Sequence, residues 1–379
     1  MDKISVIVPI FHGKKYIQGL VEQVEKCAEN IPLLRVELIF SNDDPKEMII
    51  LDNTSSNINV KIFNTDKNRG IHGARVRGLD NSQGGYILFL DQDDEIDGSF
   101  LQKQLYLLEH SNADAVVCNA LSAGQRKYNL DRPLYKAISK ECMIREGNMI
   151  LSPGQVLMRR DAISNAWKEN IMSNNGADDW LLWLCMLSEG IKFVLNEEVL
   201  FIRKVHYSNA SYDSLKMADS EQEVVAIIEK ECILSKIELN LIKNLIPELQ
   251  RERIKENEKW KKRFFILNDW MNLKHKGIFI SEKLIEMEIK RIAIYGYNYL
   301  GRTLALELES TSVSVAFFID KNADFLNADI PIYKLEDELE KVDLVIISLV
   351  KEHDMALRNK IQAKLNVEVI WLEDMICNL

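Results

Sequence analysis

The chain has 379 residues and a formal net charge of −10, because 48 lysines and arginines stand against 58 aspartates and glutamates. Its length predicts two or three domains, and a 47% share of hydrophobic residues is enough for sizeable cores, which excludes a disordered or fibrous protein. A negatively charged surface repels polyanions, so we expect no nucleic-acid partner.

Cysteine content and hydropathy indicate the compartment. The six cysteines form no C-x-x-C pair, which is typical of free thiols in a reducing compartment. The apolar run at the N-terminus is too short for a signal peptide and is broken by Pro9. No stretch approaches the roughly 18 apolar residues that a membrane span needs. The sequence therefore predicts a cytoplasmic protein, with a peripheral position on a membrane as the alternative.

The first 90 residues alternate short β-branched runs with helical stretches. Strands are predicted at Ile4–Ile10, Arg35–Phe40, Val60–Phe63 and Tyr86–Leu90, with a helix over Lys14–Glu29. This alternation predicts a largely parallel α/β sheet. Ligands of such sheets bind at the carboxyl ends of the strands, so the residues that follow each run are the first candidates for a site.

Between Ser214 and Lys290 the strand pattern disappears, and helices are predicted over Glu221–Gln250 and Arg251–Leu273. We interpret this region as a helical connector. Its basic and aromatic stretch, residues 251–265, has two explanations: contact with an anionic membrane surface, or a helix face that packs on a neighbour, which we favour.

A second alternating region begins at Arg291, with strands predicted at Ile292–Gly296, Val313–Ile319, Leu344–Val350 and Val367–Leu372. This pattern predicts a small Rossmann-like domain with a parallel sheet. The chain as a whole is therefore predicted to divide into residues 1–215, 216–288 and 289–379.

Three carboxylates lie on the turn that follows the strand ending at Leu90: Asp91, Asp93 and Asp94. Clustered like charges are costly unless a cation lies among them, and oxygen ligands of this kind suit Mg²⁺ or Mn²⁺. A solvated acidic turn with an aspartate as a helix cap is the alternative for an isolated D-x-D.

Five segments, taken in order, carry a family resemblance. They are Ser5–His12, Glu37–Asp44, Asn68–Arg75, Gly85–Asp94 and Ala177–Leu184. These segments are similar to the motifs S-V-I-I-P-x-Y-N, E-I-I-x-V-D-D-G, N-x-G with a-a-R, G-E-Y-I-L-F-L-D-S-D-D and G-E-D-W-x-L-W-L. The first half of the chain, about residues 3–211, thus resembles the inverting family 2 glycosyltransferases. The resemblance implies a GT-A fold, a Rossmann-like mixed sheet, for residues 1–215.

The resemblance also implies roles for individual residues. Binding of the donor nucleotide falls to Pro9, Phe11, Asp43, Gly70, Arg75, Asp91, Gln92 and Asp93. A divalent ion, Mn²⁺ or Mg²⁺, would be held by Asp93, Asp94 and His206. The general base is Asp178 or Asp179. We favour Asp179 as the base and keep Asp178 as a ligand of the substrate.

These roles together predict a metal-dependent inverting transferase that moves a sugar from a nucleoside diphosphate sugar, a UDP-sugar, to a hydroxyl group. The acceptor would be a saccharide or a lipid-linked saccharide in polysaccharide assembly. Arg159 and Arg160 lie where the family faces its acceptor, with plain surface charges as the alternative. The chain departs from the family motifs at His12, Asn42, Asp44 and Cys185.

The C-terminal region offers a second class of function. Gly296 and Gly301 follow a predicted strand and open a helix, and Asp320 comes about 20 residues later, as in a dinucleotide fingerprint. Asn298 replaces the middle glycine, so we favour a structural or oligomerisation role over nucleotide binding. An inactive, transferase-like scaffold is a further alternative. Survival of every expected carboxylate favours the enzyme.

Overall fold

The computed structural model describes residues 3–50, 57–122, 125–129, 132–204, 213–351 and 356–379. It divides into two compact units, residues 1–251 and 252–379. The division into residues 1–215, 216–288 and 289–379 stays a prediction.

The first unit is built on a mixed sheet. Its strands are β1 Lys3–Ile10, β2 Arg35–Asn42, β3 Asn59–Asn64, β4 Tyr86–Phe89, β5 Glu95–Ile96, β6 Ala115–Ser122, β7 Gln125–Arg126, β8 Val156–Arg159 and β9 Phe193–Arg203. Their order is β3-β2-β1-β4-β8-β6-β9-β5, and β7 pairs with β6. The α/β class and the mixed sheet predicted from the resemblance are confirmed.

Helices cover both faces of this sheet. They are α1 Ile17–Glu29, α2 Gly70–Asp80, α3 Phe100–His110, α4 Lys140–Arg145, α5 Asn165–Glu169, α6 Asp178–Ser188 and α7 Ser214–Lys230. Successive residues of β1 point to opposite faces: Val6 and Val8 pack with α1 and α3, whereas Ile7 packs with α2 and α6. Because both faces are covered, the central strands are largely apolar, and the buried Ser5 of β1 donates its hydroxyl to Glu37 of β2 at 2.7 Å.

Parallel pairing joins β3, β2, β1 and β4, as predicted. Elsewhere in the sheet, β8 runs antiparallel to both β4 and β6, and the pairs β5–β9 and β6–β7 are also antiparallel. The carboxyl ends of β1, β2 and β4 therefore meet at one edge of the sheet, and that edge carries the acidic turn. The fold brings the motif residues together there although they are far apart in sequence.

A long helix, α8, runs from Lys236 to His275. The sequence prediction placed a helix boundary at residues 250 and 251, but the break lies at residues 231–235 instead. Ser235 and Glu238 form a reciprocal cap there: Ser235 Oγ accepts from the Glu238 N–H at 3.3 Å, and Glu238 Oε2 accepts from the Ser235 N–H at 2.9 Å. The change from apolar to basic composition does not end the helix, which also accommodates Pro247, a residue without an N–H to donate.

The second unit contains a parallel sheet. Its strands are β10 Arg291–Tyr295, β11 Ser314–Ile319, β12 Ile332–Tyr333, β13 Leu344–Ile347 and β14 Glu368–Trp371, in the order β12-β11-β10-β13-β14. Its helices are α9 Ile280–Glu286, α10 Tyr299–Leu308, α11 Ala356–Leu365 and α12 Leu372–Cys377. The alternation predicted for this region is confirmed, and its membership of the Rossmann-like class stays a prediction. None of the helices that the structure describes is long and apolar enough to cross a membrane.

Candidate functional site

A cavity of about 570 Å³ opens in the first unit at the carboxyl ends of β1, β2 and β4. The starts of α2 and α6 complete its wall. Every described residue that was predicted to bind the donor or the metal ion, or to act as the base, lines it. His206 lies outside the described residues, and its predicted role as a metal ligand stays a prediction.

Asp43 lies at the end of β2, where its side chain is only 3% exposed. Its Oδ2 accepts from the Arg69 N–H at 2.9 Å, and its Oδ1 lies 3.4 Å from Arg77 Nη1. Burial raises the pKa of Asp43 above its usual range, although the hydrogen bond from Arg69 and the charge of Arg77 oppose the shift. The carboxylate is thus fixed in orientation at the wall of the cavity.

Phe11 and Gln92 bind each other through the backbone of Phe11. The Gln92 amide oxygen accepts from the Phe11 N–H at 3.0 Å, and its amide nitrogen donates to the Phe11 carbonyl at 3.1 Å. This pair joins the end of β1 to the acidic turn after β4. Pro9 lines the same wall of the cavity.

Gly70 begins α2 with a φ of +77°, a conformation that favours glycine. A β-carbon at this position would lie 2.6 Å from Asn175 Oδ1. That oxygen accepts from the Ile71 N–H at 2.9 Å. The start of α2 is therefore held against the loop that leads into α6.

Arg75 connects the two groups of carboxylates. Its side chain is 3% exposed, and it donates to Asp178 Oδ2 at 2.6 Å and to Asp91 Oδ1 at 2.5 Å. Burial alone would lower the pKa of Arg75, but the charges of Asp178 and Asp91 outweigh it and raise the pKa. Arg75 is thus a fixed cation between the acidic turn and the start of α6.

The acidic turn is short of positive charge around Asp94. This carboxylate is 6% exposed, and its Oδ1 accepts from the Lys204 N–H at 3.1 Å. Burial, together with the charges of Asp91 and Asp93, raises its pKa to about 8. Such a cluster of hard oxygen donors fits a divalent cation, which would remove the repulsion. Within the described residues, however, no three His, Cys, Asp or Glu side chains are grouped to hold a metal ion.

Asp178 and Asp179 occupy the first turn of α6, where the positive end of the helix favours carboxylates. They differ in their partners, because Asp178 is paired with Arg75 whereas Asp179 is not. Asp179 Oδ2 accepts from the Asn148 amide at 2.9 Å, and Oδ1 accepts from the Trp180 N–H at 2.8 Å. Burial and the charge of Asp178 raise the pKa of Asp179 to about 7.

Two of the departures from the family motifs contact each other. His12, at the mouth of the cavity, has its Nδ1 2.7 Å from Asp44 Oδ2. Arg159 and Arg160, by contrast, do not line the cavity. Arg160 donates to the Gly84 carbonyl at 2.7 Å and Arg159 to the Leu108 carbonyl at 3.2 Å, so both support backbone and neither faces an acceptor there.

Sequence reasoning missed three residues that orient the predicted ones. Arg77 lies beside Asp43 and also donates to the Asn42 carbonyl at 2.9 Å. Asn148 contacts Asp179, and Ser152 Oγ donates to Asp91 Oδ2 at 3.4 Å. Arg77 is two residues from a predicted arginine, which is a weak signal. Asn148 and Ser152 are 31 and 61 residues from the carboxylates that they contact, and no local pattern reveals them.

The glycine-rich turn of the second unit satisfies its own polar groups. Asn298 Oδ1 accepts from the Gly301 N–H at 3.1 Å, and Asn298 Nδ2 donates to Ser348 Oγ at 3.1 Å. A β-carbon on Gly301 would lie 2.4 Å from the Gly296 carbonyl oxygen, so packing alone requires that glycine. The side chain of Asn298 caps α10 where a pyrophosphate would need free N–H groups. This geometry favours the structural interpretation.

Comparisons with known proteins bear on the first unit. Residues 5–167 match the family model described as Glycosyl transferase family 2. An uncharacterized glycosyltransferase of Haemophilus influenzae is 37% identical over 107 residues, which is 28% of this chain and 42% of that protein. A cholesterol galactosyltransferase of Borreliella burgdorferi is 25% identical over 305 residues, 75% of this chain and 79% of that protein.

The chain was also compared with solved structures. The crystal structure of Staphylococcus aureus TarS 1-349 in complex with UDP-GlcNAc has a TM-score of 0.43 and 17% sequence identity. The match covers 60% of this chain and 66% of that chain. The chain spans less than half the length of the Haemophilus relative but most of the Borreliella one.

Proposed function

We propose that the chain, which matches the glycosyl transferase family 2 model over residues 5–167, moves a sugar from a nucleoside diphosphate sugar to a hydroxyl group. The observation that carries the proposal is the placement of two groups of carboxylates in one cavity, where Arg75 bridges Asp91 of one group and Asp178 of the other. One group would bind the donor, and the other would take the acceptor's proton. Survival of both groups argues against an inactive scaffold.

The donor binds, in this proposal, at the ends of β1, β2 and β4. Asp43 would accept hydrogen bonds from the nucleotide base, which Pro9 and Phe11 flank, and Asp91 would orient the ribose. The specific donor that we propose is a UDP-sugar. The name of the Borreliella relative, a galactosyltransferase, supports a hexose as the group transferred.

The transfer would be a single displacement with inversion. The acceptor oxygen forms a bond to the anomeric carbon while the bond from that carbon to the phosphate oxygen breaks. The electron pair leaves with the nucleoside diphosphate, and the proton of the acceptor hydroxyl goes to Asp179. Asp179 suits this role better than Asp178, because Asp178 is held by its ion pair with Arg75 and a pKa of about 7 for Asp179 is matched to proton transfer at neutral pH.

Arg75 would keep both groups of carboxylates in place while charge moves between them. We propose that Asp93 and Asp94, with His206, hold Mn²⁺ or Mg²⁺. When bound, such an ion supplies positive charge for the leaving diphosphate. The excess negative charge around the buried Asp94 supports this assignment.

We also propose that the acceptor is a saccharide or a lipid-linked saccharide, and that the protein contacts a membrane through α8. Trp260 and Phe264 lie one helical turn apart on α8 and are 51% and 63% exposed. Residues 251–263 contain seven lysines and arginines against three glutamates, although the whole chain is acidic. Exposed aromatics among basic residues are typical of helices that lie on anionic membranes.

A thermal-shift panel tests the proposal: UDP, GDP, dTDP, CDP and NAD, each with and without Mn²⁺. A ligand at a hundred times its dissociation constant stabilises a protein by about 2.7 kcal/mol, which raises the melting temperature of a unit this size by about 5–10 °C. We expect a shift with UDP that requires Mn²⁺. A shift with NAD alone would contradict the proposal and direct attention to the second unit.

A further inference from the structure

Three cationic side chains surround the loop of residues 148–155, beside the proposed base. Arg203 lines the cavity at the end of β9. In the sheet, the backbone N–H of Lys127 donates to the carbonyl of Ala120, and Ala120 is paired with Phe201 of β9. Arg203 lies two residues beyond Phe201 on the same strand. Paired residues and residues two apart share a face of a sheet. Lys127 and Arg203 therefore point to the same side.

That side faces the cavity loop. A β-carbon on Gly154 would lie 2.5 Å from the ring of Phe201, so the loop packs directly on this face. The same loop contributes Leu151, Ser152 and Pro153 to the cavity wall. The loop of residues 148–155 thus connects this face of the sheet with the wall of the cavity that holds Asp179.

Lys127 is half-buried, and its ammonium group has no hydrogen-bond or ion-pair partner among the residues that the structure describes. Burial, together with the charges of Arg132 and Arg203, lowers its pKa to about 8. A lysine kept in such a place without an anion is costly. The described residues supply no negatively charged partner for Lys127.

Arg132 is linked to the proposed base by hydrogen bonds through Asn148. Its Nη2 donates to the Asn148 carbonyl at 2.7 Å, and the Asn148 amide donates to Asp179 at 2.9 Å. The Nε of Arg132 is buried and has no hydrogen-bond partner among the residues that the structure describes. The nearby acid Glu146 is already paired with Lys136, 2.7 Å away, so it does not neutralise the group.

We infer that Lys127, Arg132 and Arg203 bind a phosphate group carried by the acceptor, next to the hydroxyl that Asp179 would deprotonate. Guanidinium and ammonium groups are the usual protein partners of phosphate oxygens. The inference rests on the proposed function, and it narrows the acceptor to a phosphate-bearing glycan or a saccharide joined to lipid through phosphate.

The diphosphate of the donor is the other source of the same chemistry. Arg203 also acts electrostatically on Asp94, so it lies close enough to the acidic turn to serve either phosphate. Lys127 does not line the cavity, and Arg132 reaches it through Asn148 on the side of Asp179. The test therefore depends on Lys127 and Arg132.

The experiment is calorimetric titration of the full chain with sn-glycerol 3-phosphate after UDP and Mn²⁺ have been added to saturation. Wild type is compared with Lys127→Gln, Arg132→Gln and the matched control Arg126→Gln. Arg126 is the neighbour of Lys127 on β7, and its pairing with Leu121 places it on the opposite face. Each variant is also titrated with UDP alone.

We expect glycerol phosphate to bind the UDP-loaded wild type, and the affinity to fall about ten- to hundredfold in Lys127→Gln and Arg132→Gln but not in Arg126→Gln. UDP should bind all four proteins alike. No binding of glycerol phosphate to UDP-loaded wild type, or an equal loss of UDP affinity in the two variants, would overturn the inference. Failure of UDP to bind wild type would instead contradict the proposed function.

Discussion

Arg75 gives the sharpest test of the site's electrostatics, through the substitution Arg75→Met. Methionine fills much of the same volume but removes the charge. The change leaves Asp178, which is 2% exposed, without the guanidinium that lies 2.6 Å away. Asp91 loses the same partner, although its side chain is 25% exposed and water replaces part of the interaction.

The magnitude follows from burial. Breaking a buried ion pair by removing one partner costs about 3–5 kcal/mol, and most of that cost belongs to Asp178. For a unit of this size, the melting temperature should fall by about 6–20 °C near pH 8. Arg75→Lys, which keeps a charge but not the two-pronged geometry, should show a smaller loss.

The loss should depend on pH in a defined direction. Burial and Asp178 raise the pKa of Asp179 to about 7, and Arg75 opposes that shift. Without Arg75, Asp179 keeps its proton to a higher pH in the folded state. The destabilising contribution of Asp179 therefore grows as pH rises through about 7 and fades as pH falls towards its unfolded-state pKa of about 4. The difference in stability between Arg75→Met and wild type should therefore be smaller at pH 5.5 than at pH 8.

Thermal unfolding of the full chain at the two pH values checks this prediction. Arg69→Met is the control, because Arg69 is exposed and precedes the same helix, and its replacement should change stability by no more than about 0.5 kcal/mol. If Arg75→Met had the melting temperature of wild type at pH 8, the ion pairs of Arg75 would contribute nothing to stability. An equal loss of stability at both pH values would contradict the predicted pH dependence.

Three further predictions concern activity and binding. The rate of UDP release from the donor should rise as pH increases through about 7, because Asp179 must be deprotonated, and Asp179→Asn should reduce that rate by about 10²–10⁴-fold above pH 7 and by less below it; a flat profile for wild type would remove Asp179 as the base. Arg77→Gln should weaken UDP binding several-fold in calorimetry, since Asp43 loses the cation that orients it, and unchanged affinity would show that Asp43 needs no such support. Replacing Trp260 and Phe264 by serine should reduce sedimentation with anionic phosphatidylglycerol vesicles but not with neutral ones; equal binding before and after the change would exclude this face as the contact.

Much of the fold could be predicted, because the alternation of apolar runs reports directly on strands. The predicted strand Ile4–Ile10 is observed as Lys3–Ile10, and the predicted Leu344–Val350 as Leu344–Ile347. The antiparallel β8 could not be predicted in this way. Strand direction depends on the path of the preceding loop, and residues 123–155 have no periodic pattern that fixes that path.

The site shows the same division. Asp91, Asp93 and Asp94 were predictable because they follow a strand directly, and Asp178 and Asp179 because the segment Ala177–Leu184 resembles a family motif. Their partners come from other parts of the chain. The signal for the start of α8 was local and present, since Ser235 and Glu238 have the spacing of a capping box.

The most direct test of the two-sided site is the titration of UDP, with Mn²⁺ present, into wild type, Asp93→Asn and Asp179→Asn. Asp93→Asn should weaken the binding of UDP by tenfold or more, because its carboxylate belongs to the donor side of the site. Asp179→Asn should bind UDP within about twofold of wild type, because its carboxylate serves the acceptor. Equal affinity in all three proteins, or a loss confined to Asp179→Asn, would contradict the assignment of Asp93 to the donor and Asp179 to the acceptor.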